Sequence, residues 1–161
     1  MAKVGLVRML LSFLLSVAVT AAIGAVIQTQ FNLAALESLG VDIPWSLRLD
    51  STLHDLVGFT PVFAILVLVG FLCAFPVAGA LSSILTPLRA IIYALAGVAA
   101  LYAAFMIINT LLPMPTLIAA TRTLEGLAAM SASGALGGYL YARLTKRKQR
   151  GWDSDIGMRF R

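Results

Sequence analysis

Between Arg8 and Gln28 the chain runs for nineteen residues without a charged side chain, and between Asp55 and Arg89 for thirty-three. Such runs restrict the fold more than any short motif. A bilayer's hydrocarbon core takes roughly 20 apolar residues of helix, and polar backbone groups inside it have to bond within their own segment. Four segments meet the length: residues 9–27, 56–80, 87–112 and 120–143. The expected fold is an all-α integral membrane protein, a four-transmembrane-helix bundle with a structured outer loop between the first two helices. Composition agrees, with 60% hydrophobic and 12% charged residues, where soluble domains carry about a quarter charged.

Local signals refine the ends. Pro61 and Pro76 should bend or adjust the second span. Thr86 can cap the third, with Pro87 at the first helical position, where no amide hydrogen is missed. Pro113 then stops it, and the fourth span opens after Pro115.

Charge sets the expected orientation. Seven of the twelve basic residues lie in 143–161, Lys3 and Arg8 precede the first span, and Arg89 sits between the second and third. The connection of residues 28–55 holds Glu37, Asp42, Asp50 and Asp55 against Arg48 alone. By the positive-inside rule both termini are cytoplasmic and that connection faces out. A cleavable signal peptide is the competing reading of the N-terminus, and it leaves the connection outside as well. Residues 1–145 then form the membrane domain, and 146–161 a basic cytoplasmic tail suited to anionic head groups, with Trp152 and Phe160 dipping into the interface.

In lipid, close helix packing depends on small residues. Ser12, Ser16, Thr20 and Gly24 recur every four residues on the first span, with Gln28 continuing the line, and Gly134 and Gly138 form a GxxxG pair on the fourth. Packing within the bundle is the first reading of these stripes; a ligand path or a dimer seam is the other. Tyr139 and Tyr141 fit the cytoplasmic aromatic belt.

In the outer connection Asn32 can cap a short surface helix that Gly40 ends. Val41, Ile43, Trp45, Leu47 and Leu49 then alternate with polar residues and Pro44, the pattern of a half-buried strand. A lone strand needs a partner, which makes these five residues partner-docking candidates; an irregular loop with Pro44 opening a short helix is the alternative. Thr52 and Asp55 have capping-box spacing for the helix into the second span.

Candidates for chemistry are few. A histidine is the side-chain type suited to a proton relay or quinone site, which singles out His54, the only one in the chain. Arg122 and Glu125, three apart on the fourth helix, can pair. With Asp55 they are the ligand or proton-relay candidates, in an outer polar group that includes Gln28, Gln30, Asn32, Asn109, Thr121 and Thr123. One histidine excludes bis-histidine haem within one chain and a Cys/His zinc site. One cysteine, Cys73, excludes dithiol chemistry. No carboxylate lies deep in the first three spans, no phosphate-binding glycine motif occurs, and no catalytic residue or metal site can be named. An enzyme complete in this one chain is not expected.

The strings "IQTQFNLAAL", "STLHDLVGFTP" and "GFLCAFPVAG" resemble the four-helix membrane domain associated with bacterial pyrroloquinoline-quinone-dependent sugar dehydrogenases of the sorbosone or aldose type. That family's chemistry resides in a periplasmic β-propeller, for which this chain is too short, so no catalytic or cofactor residue carries over. The resemblance implies an inner-membrane anchor or accessory subunit for a periplasmic dehydrogenase close to the quinone pool. The alternative expectation is a small homo-oligomeric transporter or quinone-binding membrane protein. Neither reading involves nucleic acid.

Overall fold

A computed structural model of the protein describes residues 5–111 and 118–146. They form four helices: α1 (Leu6–Ser38), α2 (Trp45–Ile84), α3 (Arg89–Leu111) and α4 (Leu124–Leu144). The 3-10 turns Thr86–Leu88 and Ala119–Arg122 precede α3 and α4. No strand occurs among the described residues. The expected boundaries at Pro113 and Pro115, and the tail with Trp152 and Phe160, lie outside the described residues.

Neighbouring helices are antiparallel, and each packs on the next in chain order, with α1 and α4 closing the ring. Gly24 of α1 meets Phe63 of α2, Gly70 of α2 meets Ala100 of α3, Gly97 of α3 meets Gly134 of α4, and Gly137 of α4 meets Thr20 of α1. Phe63, Phe71, Phe105, Leu101 and Met130 fill the interior. One aromatic group joins Phe71, Phe75, Tyr93, Tyr141 and Phe13 by ring contacts 4.3 to 6.3 Å apart. A second joins Phe59, Phe63 and Phe105.

Outside this core the apolar character does not fall away. Leu14, Ile65, Val69, Leu72, Leu95 and Ile107 are exposed, as expected where the solvent is lipid tails. Among the described residues three helices are long and apolar enough to cross a membrane: Leu6–Ser38, Trp45–Ile84 and Thr86–Leu111. The remaining helix, α4, is richer in Gly, Ser and Ala, and ten of its 21 residues are buried against six of 40 in α2. Small residues suit that position, since they let the flanking backbones approach.

Several local expectations are overturned. The separate surface helix capped by Asn32 is absent: the first helix runs without a break to Ser38, with Asn32 in its interior. It ends in a Schellman motif: Val41 N–H donates to Leu36 O, Gly40 N–H to Glu37 O, and Gly40 takes φ +86, the left-handed conformation that glycine adopts without penalty. The strand expected at residues 41–50 is absent as well: Pro44 is the N-cap of α2, and Trp45 begins a 40-residue helix. The apolar run after Asp55 is strongly helical, and extending an existing helix avoids a new nucleation step. Extension halts at Pro44, because a proline pushes the residue before it out of the α region. Helix α2 continues through both Pro61 and Pro76.

Thr86 caps nothing with its side chain; it opens the 3-10 turn that holds Pro87. Tyr139 is exposed, but Tyr141 is buried in the aromatic core rather than set in an interfacial belt, because the rings of Phe13, Phe75 and Tyr93 surround it.

Candidate functional site

The antiparallel ring sorts charge between its two ends. Arg8, Arg89, Arg143 and Lys146 share one end: Arg8 Nε donates to Leu144 O (3.0 Å), and an Arg89 terminal nitrogen donates to Thr145 Oγ1 (2.7 Å). All five carboxylates among the described residues, Glu37, Asp42, Asp50, Asp55 and Glu125, lie toward the other end, together with Arg48 and Arg122. These are called the basic end and the hairpin end.

Among the described residues α1 and α2 extend further than α3 and α4 at the hairpin end. Near this end Gln28 Oε1 accepts from Ala120 N–H (3.0 Å), and the Asn109 and Thr121 side chains pair at 3.5 Å. At nearly that level Thr29 Oγ1 approaches the Asp55 carboxylate at 2.7 Å. Beyond it α1 has nine more residues and α2 ten, a projection of roughly 15 Å at 1.5 Å per residue. The projecting pair is laced together: Gln30 Nε2 donates to Thr52 Oγ1 (3.2 Å), Arg48 donates to Gln30 Oε1 (2.9 Å) and forms an ion pair with Glu37. The Arg48 guanidinium also lies 5.8 Å from the Trp45 ring centre.

Of the docking candidates, only Ile43 is buried; Val41, Trp45, Leu47 and Leu49 are exposed, Trp45 to 77%. Leu53 and Val57 extend the exposed apolar surface along α2. Helix geometry, not strand alternation, therefore places Trp45, Leu47 and Leu49, and it distributes them around α2 instead of along one sheet face, while Val41 and Ile43 lie in the connection before it.

The proton-relay candidates come from three elements: α2, the 3-10 turn before α4, and α4 itself. His54 is exposed, with no hydrogen bond or ion pair among the described residues. Asp55 is no capping-box member, since Thr52 lies inside α2 and its hydroxyl donates to Arg48 O; the carboxylate accepts from Thr29 instead. Arg122 ends the 3-10 turn and Glu125 lies in the first turn of α4, so the two do not share a helix. Between them Thr123 is the cap of α4, accepting from Gly126 N–H at 3.1 Å. Among the described residues no group of three His, Cys, Asp or Glu could hold a metal ion.

The small-residue stripes lie at helix contacts. Ser12, Ser16, Thr20 and Gly24 are all buried. The Ser16 and Thr20 hydroxyls donate to the carbonyls four residues back. Gly134 sits against the backbone of Gly97, and Gly138 against that of Tyr93.

Sequence reading missed the lacing Thr29, Gln30, Glu37, Thr52 and Arg48 as a group. A usable signal was present: once α1 and α2 are taken as antiparallel, Gln30 and Thr52 fall opposite each other, and Glu37 opposite Arg48.

The arrangement is that of an all-helical bundle with three membrane-length helices and a laced two-helix projection at its acidic end. No protein-family model, curated protein or solved structure matches the chain.

Proposed function

We propose that this chain is a non-catalytic inner-membrane subunit with four spans and both termini in the cytoplasm, whose α1–α2 projection docks a partner on the outer face. The observation that carries the reading is the projection itself: about 15 Å of paired helix with Trp45 77%, Leu49 61% and Leu53 63% exposed. Fully burying one such side chain is worth about 1.5–3 kcal/mol, so a partner covering several has ample driving force. Its lacing keeps the projection in one conformation, which lowers the entropy lost on docking. The likeness to the membrane domain of quinoprotein sugar dehydrogenases names the first partner class to seek, a periplasmic quinone-linked dehydrogenase.

Orientation and span number rest on the same physics. The basic end, free of carboxylates among the described residues, suits the cytoplasmic side. Helix α4 has 21 residues, about 32 Å, and lies beside three membrane-length helices, so it crosses with them.

The test is purification of a tagged copy from native membranes in mild detergent, with quantification of whatever accompanies it in near-equal amount. A soluble-domain partner lost from a Trp45→Asp, Leu49→Asp double variant, with the bundle's melting temperature unchanged, is the expected outcome. Recovery of a homo-oligomer alone, or undiminished partner on the double variant, would overturn the proposal.

A further inference from the structure

At the basic end an open recess lies between the start of α1 and the end of α4, lined by Val7, Arg8, Leu11, Ser12, Leu15 and Leu144 together with Gly5. Arg8, Leu11 and Leu15 follow one another at helical spacing on one face of α1, so a charged group sits above an apolar strip. Val7, Leu11 and Leu15 are exposed to 70%, 62% and 49%. The Arg8 guanidinium is held in place: its Nε donates to Leu144 O, one of the carbonyls that a helix end leaves without an intrahelical partner. Its two terminal nitrogens have no hydrogen-bond partner among the described residues.

The other described arginines at this end are engaged differently. Arg89 is tied to Thr145 and lies 4.9 Å from the Tyr93 ring centre. Arg143 Nε donates to the Tyr139 hydroxyl. Arg8 alone combines a fixed guanidinium, open terminal nitrogens and an adjoining apolar groove. Guanidinium forks match phosphate oxygens geometrically, and no described carboxylate lies at this end to compete for the fork.

We propose that this recess seats one anionic glycerophospholipid, with the phosphate on the terminal nitrogens of Arg8 and an acyl chain along Leu11 and Leu15. The surplus of positive charge from Arg89, Arg143 and Lys146 selects a net-negative head group over a zwitterionic one. The groove separates this site from one for free phosphate, because an inorganic ion gains nothing from an apolar strip. The site is independent of what docks at the opposite end.

The full-length protein in detergent, titrated with phosphatidylglycerol or phosphatidylcholine and observed by native mass spectrometry, tests the assignment. Retention of one phosphatidylglycerol in preference to phosphatidylcholine is expected. Arg8→Gln should weaken it about tenfold, the worth of one charge-assisted contact. Leu15→Trp, which fills the groove and leaves Arg8 in place, should weaken it as well, and it decides the matter if Arg8→Gln fails to fold. Equal retention of the two lipids, or wild-type retention by the folded variants, would overturn the proposal. Displacement of the lipid by millimolar inorganic phosphate would overturn it too, in favour of a bare phosphate site.

Discussion

Gly97 on α3 and Gly134 on α4 occupy each other's side-chain space: a Cβ added to either would meet the other's backbone carbonyl. Backbone cannot swing aside as a side chain can, so the helices themselves would have to part. Gly134→Ala should therefore destabilise the bundle by about 1–3 kcal/mol, the usual range for overpacking. Gly58→Ala is the control, since nothing lies within 4 Å of its Cβ position; it should be neutral or stabilising by about 0.4–1 kcal/mol through the unfolded chain. Thermal unfolding in one detergent compares them, and equal melting temperatures would show that the α3–α4 contact does not hold the bundle.

The Thr29–Asp55 contact governs the base of the projection. The Thr29 hydroxyl has one hydrogen and two acceptors in reach, Ala25 O at 2.9 Å and the Asp55 carboxylate at 2.7 Å. Thr29→Val keeps the shape and removes the donor, leaving Asp55 without that partner, at a cost of about 1 kcal/mol. Amide exchange in residues 31–54 should speed up roughly fivefold at that cost, with residues 90–105 unchanged. Uniform acceleration through all helices would instead assign Thr29 a role in global stability.

Thr123 caps α4 through its side chain. Thr123→Ala should lower stability by about 1 kcal/mol, and Thr123→Ser should restore most of it. Differential scanning calorimetry on the three proteins checks the order; a serine variant as unstable as the alanine one would mean that the methyl group, not the hydroxyl, matters.

Orientation can be read by labelling. Cys73 is the sole cysteine and is exposed on α2, within the segment assigned to lipid, so a charged, membrane-impermeant maleimide should leave it unmodified in intact cells. On a Cys73→Ala background, Asp50→Cys should label from outside, and Lys146→Cys only after permeabilisation. The reverse pattern would invert the proposed topology.

Much of the architecture was legible in the residues. Charge-free runs exposed the helices, because no other backbone arrangement satisfies its own polar groups in lipid without closing a barrel. The small-residue spacing pointed to the faces that now lie at helix contacts, since spacing of four keeps Ser12, Ser16, Thr20 and Gly24 on one side of α1. Residues 41–50 misled because alternation over ten positions resembles a strand, while the forces that decide the matter act from outside the window: the helix already formed downstream and the missing strand partner. The Arg122–Glu125 spacing misled for a related reason, since a separation of three was read as one shared helix, and the helix begins between them, at Leu124.

The sequence by itself determined that the chain is helical and apolar enough for a bilayer, and that its cations and carboxylates fall into alternate connections. These properties follow from local composition and from the length of backbone that has to be shielded. The tertiary structure decided how far α1 and α2 project, which polar groups lace them, that His54 is exposed, and that Arg8 sits above an apolar groove. Each depends on which residues of antiparallel neighbours fall at the same level, a register set by packing such as Gly97 against Gly134 and invisible along a single strand of text.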